Sequence, residues 1–241
     1  MRATQFLRPR LTLALFVASL ALTALGATDP RAEYDALLAL RHAKVPDHIP
    51  RDGPDRIAWL NWRAVELHDR GMAFLAEHAS HPLRWDTLLL LPYGRDHRER
   101  IWRSGLRQLE PVPESLEAWE RQYYARLESL LRSTDAEPPA RGEALRQLIR
   151  HTSDQALRNP AETHDALARV RAWIDQHDRE FPRSSYTRML YHSYSEALDF
   201  ADPMQCLRFL AELEHRHPGP DRFDRLVREL VTDRRRALKA Q

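Results

Sequence analysis

Cysteine and glycine are both scarce in this chain. A single cysteine, Cys206, among 241 residues excludes an intramolecular disulfide, so stability must come from core burial. Seven glycines, one of them Gly26 near the N-terminus, are too few for the turns of a many-stranded sheet. No Gly-rich phosphate loop, Gly-x-Ser-x-Gly, His-Glu-x-x-His or Cys-x-x-Cys occurs, which removes the readable signatures of phosphate binding, serine hydrolysis, zinc proteolysis and dithiol exchange. No apolar run approaches the ~20 residues that span a bilayer.

The longest uncharged run, Leu11 to Gly26, is 16 residues and follows Arg2, Arg8 and Arg10. Basic residues, a short apolar stretch and small residues at Ala24 and Gly26 predict a signal peptide over 1–26, cleaved before Ala27; an uncleaved anchor is the lesser reading. No cysteine follows to carry a lipid, so the mature chain is expected to be periplasmic or secreted, with no stable membrane insertion. The whole chain carries a formal charge of +2, but losing three arginines leaves 34 basic and 35 acidic residues. Near-neutral balance provides no counterion-release drive, so no nucleic-acid partner is expected. The local cluster Arg234 to Arg236 is read as basic side chains complementing the negative end of a terminal helix.

Proline is plentiful, with 16 residues, one in the leader and the others between apolar-periodic segments. The spacing predicts helices over 32–44, 55–79, 83–91, 96–109, 114–132, 141–157, 161–180, 184–200, 204–216 and 221–239. Asp29-Pro30, Asn159-Pro160, Asp202-Pro203 and Gly219-Pro220 each set a capping or permissive residue before a proline suited to a first turn. Core stripes are expected along Ile57, Leu60, Ala64, Leu67, Gly71, Phe74 and Leu75, and along Leu116, Trp119, Tyr123, Leu127 and Leu130. Linkers are expected at 46–54 and 133–139. The second divides an irregular helical front half, 27–135, from a repeat-like back half, 136–241, that ends in a cap helix.

That back half repeats. Val170/Cys206, Trp173/Phe209, Ile174/Leu210, Leu190/Leu226, Tyr191/Val227 and Tyr194/Leu230 recur at an offset of 36 around the breaks Phe181-Pro182 and His217-Pro218. Such a period marks a helix-turn-helix unit that buries its apolar face by stacking on its neighbours. A further instance, Ala73-Phe74 before His81-Pro82 and then Leu90-Leu91, lies upstream. The expected class is all-α: antiparallel helix pairs stacked as a short solenoid of about ten helices. Cys206, Leu210 and Leu213 share a helix face, which favours a buried structural thiol.

The helix pairs over 141–180 and 184–216 with their last amphipathic helix resemble tetratricopeptide repeats. Cys206, Leu210, Leu213 and Pro218 fill the second-helix positions of that pattern, while Leu190, Tyr194 and Ala197 replace the first-helix tryptophan, glycine and tyrosine. The layout of residues 30–240 is also similar to the helical N-terminal region of some exported bacterial thioredoxin-like (redoxin) proteins. Without Cys-x-x-Cys, that likeness implies only their non-catalytic helical module.

Stacked helix pairs form a concave face that accepts an extended or helical ligand, so the expected partner is another protein or a peptide. If Tyr186, Leu190, Ser193 and Ala197 face the core, then Arg188, Tyr191, His192 and Ser195 form the opposite, ligand-facing side. The bland alternative is an ordinary solvent face. No catalytic residue, cofactor or metal is expected, and a non-catalytic protein is favoured over an enzyme. The competing reading is a small periplasmic hydrolase or metal-binding protein with its site between the halves. It would draw on Glu77, His78 and His81, on His215 and His217, or on carboxylate pairs such as Glu66/Asp69 and Glu117/Glu120.

Overall fold

The computed structural model describes residues 29–91, 114–158 and 162–239. Every regular element among them is a helix: α1 (Pro30–His42), α2 (Pro54–Glu77), α3 (83–91), α4 (Glu114–Arg132), α5 (Pro138–Arg158), α6 (Thr163–Glu180), α7 (Thr187–Ala201), α8 (Pro203–Arg216) and α9 (Arg222–Lys239). The leader and the helix expected over 96–109 lie outside the described residues. No helix among the described residues is long and apolar enough to cross a membrane.

Capping chemistry explains the starts. Asp29 accepts the Arg31 N–H at 3.0 Å, and Asp202 accepts those of Met204 and Gln205, each ahead of a proline whose missing N–H costs nothing there. Gly53, at φ 134°, makes the turn into Pro54 that a side chain would strain. The repeated breaks share a backbone. Phe181 (φ −132°, ψ 57°) closes α6 with its N–H on the His177 carbonyl, and His217 (φ −123°, ψ 58°) closes α8 on that of Leu213. Helix α7 starts later than expected because Arg183 turns to φ 65° and Ser184 Oγ accepts the Tyr186 N–H.

Nearly all the residues that recur at 36 are buried: Val170, Ile174, Leu190, Tyr191 and Tyr194 in the first copy, Cys206, Phe209, Leu210, Val227 and Leu230 in the second. They form one apolar cluster joining α5 to α9. Helix α5 packs on α6 and α7, and α7 packs in turn on α8 and α9. The Phe181 ring lies against Gly142 of α5, where an added Cβ would stand 3.3 Å from it.

The front is less unified. Leu37, Leu67, Phe74 and Leu90 form a small cluster, and Leu88, Leu91, Tyr123, Leu127 and Leu130 form another. The second cluster continues through Ala136, Ala140, Ala144 and Leu148, so apolar packing runs across the expected division at 135. Ile57 departs from its stripe and is 39% exposed. Ala64, Leu67 and Phe74 follow the stripe inward. The Leu116 and Trp119 side chains lie outside the described residues.

Candidate functional site

Helix α7 is enclosed by α5, α6, α8 and α9, which leaves one narrow outward stripe: Arg188, His192, Glu196 and Phe200, four residues apart. Arg188 and His192 lie on it as expected, and His192 Nε2 is 3.4 Å from Glu196. Tyr191 and Ser195 do not. At 1% and 0% exposure they are buried, and Tyr186, expected inside, is 52% exposed. The helix is rotated from the expected orientation because it has neighbours on both flanks, α5 and α9, as well as behind. Arg146 of α5 lies over the exposed Tyr186 ring at 5.4 Å, which extends the stripe toward α5.

Tyr191 belongs instead to an interior polar chain. Its hydroxyl donates to Asp178 Oδ2 at 2.7 Å, with His217 Nε2 3.4 Å away, and His217 Nδ1 is 3.2 Å from Asp224 Oδ1. Asp224 Oδ2 accepts the Gly219 N–H at 2.9 Å. Burial and the Asp178 carboxylate push the Tyr191 phenol far above its ordinary range, so it stays protonated at neutral pH. The chain fastens the end of α8 to α6, α7 and α9. Its side-chain links span seven to 26 residues of sequence, so spacing does not reveal them; the one local signal is the polar cap before Pro218.

Beneath Ser195 lies a second buried group. Cys206 Sγ donates to the Ser195 carbonyl at 3.3 Å, and burial pushes the thiol up to about 11, leaving it protonated at neutral pH. Arg234 donates to Asp199 at 2.7 Å and to the same carbonyl at 3.4 Å, tying α9 to α7. One member of the basic cluster thus forms a buried cross-helix pair instead of lying free at a helix end.

Glu33, Glu77 and His78 offer ligand atoms that all lie within 4.8 Å of one another, joining the start of α1 to the end of α2. His78 Nε2 is 3.1 Å from Glu33 Oε2, and its ring packs on Phe74 at 4.6 Å. His81 turns its Nδ1 to the Leu83 N–H at 3.2 Å. Glu33 lies 45 residues from His78, beyond the reach of any local spacing. His215 is exposed while His217 is partly buried, so the two diverge as a spacing of two requires. Glu66 pairs with Arg70 at 2.6 Å, Asp69 with His68, and Glu120 with His151, the ordinary work of carboxylates on arginine-rich helices.

No family model, no curated protein and no solved structure matches this chain.

Proposed function

We propose that this is an exported, non-catalytic helical-repeat protein that binds another protein or an extended peptide on the face shared by α5, α7 and α9. The observation that carries this reading is the alternation of packing. Helix α7 touches α5 and α9 as well as α6 and α8, the relation expected when first helices of successive pairs line one side of a short tetratricopeptide-like solenoid. The outward stripe of α7 supplies a guanidinium at Arg188, an imidazole at His192, a carboxylate at Glu196 and an apolar end at Phe200, 60% exposed. Tyr191 and Ser195 support that surface from beneath. The resemblance to the helical region of redoxin proteins is consistent with a scaffold that acts through a partner.

The test is capture from the envelope extract of the native organism with the tagged protein, beside an Arg188→Glu/His192→Glu variant. Both side chains are exposed, and circular dichroism of the variant checks that its helicity is kept. A partner held by the wild type and lost by the variant supports the reading; none held by either, or equal capture by both, counts against it. Export is tested by fractionation and N-terminal sequencing, with a mature start at Ala27 expected.

A second reading, a metal-binding protein, is favoured by the convergence of Glu33, Glu77 and His78. Two carboxylates and an imidazole suit a divalent ion such as zinc, with its site in the front half and not between the halves. Stoichiometric metal in the purified protein, lost in His78→Ala, would support it.

A further inference from the structure

The front half holds a cleft of about 590 Å³ between the end of α1, the chain just after it and the first turns of α2. Arg41, Lys44, Arg56 and Arg63 line it, with Val45 and Leu60 as an apolar wall and no carboxylate among the lining residues. Arg63 is 7% exposed, and its position is set from two sides: Nη1 donates to the Ala43 carbonyl at 2.5 Å, and the guanidinium lies over the Trp59 ring at 5.0 Å. The cleft therefore has a buried cationic floor held by two contacts, with the other three cations around it.

Four like charges around one concavity repel one another, and the low-dielectric walls concentrate their field. Ordinary helix electrostatics accounts for Arg41, in the last turn of α1 at the negative end of the dipole. It does not account for Arg56, which lies in the first turns of α2 at the positive end. Neither Lys44 nor Arg56 has an ion-pair partner among the described residues. We propose that this cleft is a binding site for a multiply charged oxyanion, a phosphate- or carboxylate-bearing compound whose apolar part rests on Val45 and Leu60. Guanidinium forks match the paired oxygens of such groups, and the volume falls within the range of small-molecule sites. The site is on the other half of the molecule from the α7 stripe and does not depend on it.

Titration calorimetry of the purified protein with inorganic pyrophosphate and with citrate, and co-sedimentation with phosphatidylglycerol against phosphatidylcholine vesicles, test the proposal. Saturable one-site binding of at least one anionic probe is expected, weakened tenfold or more in Arg56→Glu/Lys44→Glu and unchanged in Arg188→Glu. Binding of the soluble anions identifies a free ligand, and binding confined to the anionic vesicles a lipid headgroup; either supports the site. If the charge reversal disturbs helicity, the neutral pair Arg56→Gln/Lys44→Gln provides the same readout. No binding of any probe at millimolar concentration, or binding that survives loss of Arg56 and Lys44, overturns it.

Discussion

The two halves use the same residue types differently. In the back half the arginines reach across helices to carboxylates: Arg141 to Glu180 at 2.9 Å, Arg171 to Glu212 at 2.6 Å, Arg234 to Asp199 at 2.7 Å. Beneath them lies one continuous apolar cluster. Toward the front the apolar residues divide into smaller clusters, one of them shared with α5, and four cations gather round a cleft without a lining carboxylate. Cross-helix ion pairs are frequent from α5 onward, whereas in the front, where Arg84 still reaches Asp135 at 2.7 Å, Lys44 and Arg56 have no ion-pair partner among the described residues, and there a small anion would have something to bind.

Core truncation should separate the halves most strongly. Leu210→Ala, at 0% exposure inside the large cluster, is expected to cost about 3–5 kcal/mol in urea unfolding. Leu37→Ala, in the small front cluster, is expected to cost about 2 kcal/mol, because α1 can collapse on fewer neighbours. Equal losses would mean that the front is as tightly built as the back. Next in size is Gly219→Ala. An added methyl would collide with the Asp224 carboxylate, which accepts the Gly219 N–H and faces His217, so about 1–3 kcal/mol should be lost. Gly53→Ala meets open space, so the loss of about 1 kcal/mol expected in the same readout comes from its φ of 134° alone.

Tyr191→Phe probes the interior polar chain and should cost about 1–2 kcal/mol at neutral pH. Its pH dependence has a definite sign. The folded phenol stays protonated above its ordinary value of 10, while the unfolded one ionises, so the unfolded state binds fewer protons and stability falls as pH rises through 10. Tyr194, pushed up to about 12 by burial, adds to the same loss. The Phe variant should lose less stability than the wild type between pH 10 and 11, followed by thermal unfolding. Parallel curves would remove Tyr191 from the network.

Most of the helices could be read from proline punctuation and apolar spacing, because both act within a few residues. Glu114–Arg132 coincides with its expected bounds, and the pairs at 36 are nearly all interior. The α7 face was half legible. Periodicity located Arg188 and His192 on one side but assumed a helix buried on one face, and contact with α5 and α9 together turned Tyr191 and Ser195 inward. The Glu33–His78 approach, the Asp178–Tyr191–His217–Asp224 chain and the cationic cleft depend on side chains far apart in sequence, meeting only after the helices pack. No local spacing encodes such meetings.

The smallest effect tests the charge contrast itself. Arg171 and Glu212 are about a third exposed, so solvent screens much of their attraction, and a double-mutant cycle through Arg171→Met and Glu212→Gln should find about 0.5–1 kcal/mol at neutral pH. The hydrogen bonds from Arg171 hold the Glu212 carboxyl below its ordinary value of 4.5. A depressed carboxyl stabilises the fold above the unfolded value, and that contribution is lost as pH falls through the folded one. The coupling should therefore be full at pH 6, decline below 4.5 and weaken in high salt. Charge removal at Arg56 should behave oppositely, leaving stability unchanged or slightly raised, since it relieves repulsion in the cleft and breaks no described pair. If Arg56→Gln destabilises as Arg171→Met does, the front half has satisfied its charges after all, and the contrast between the halves disappears.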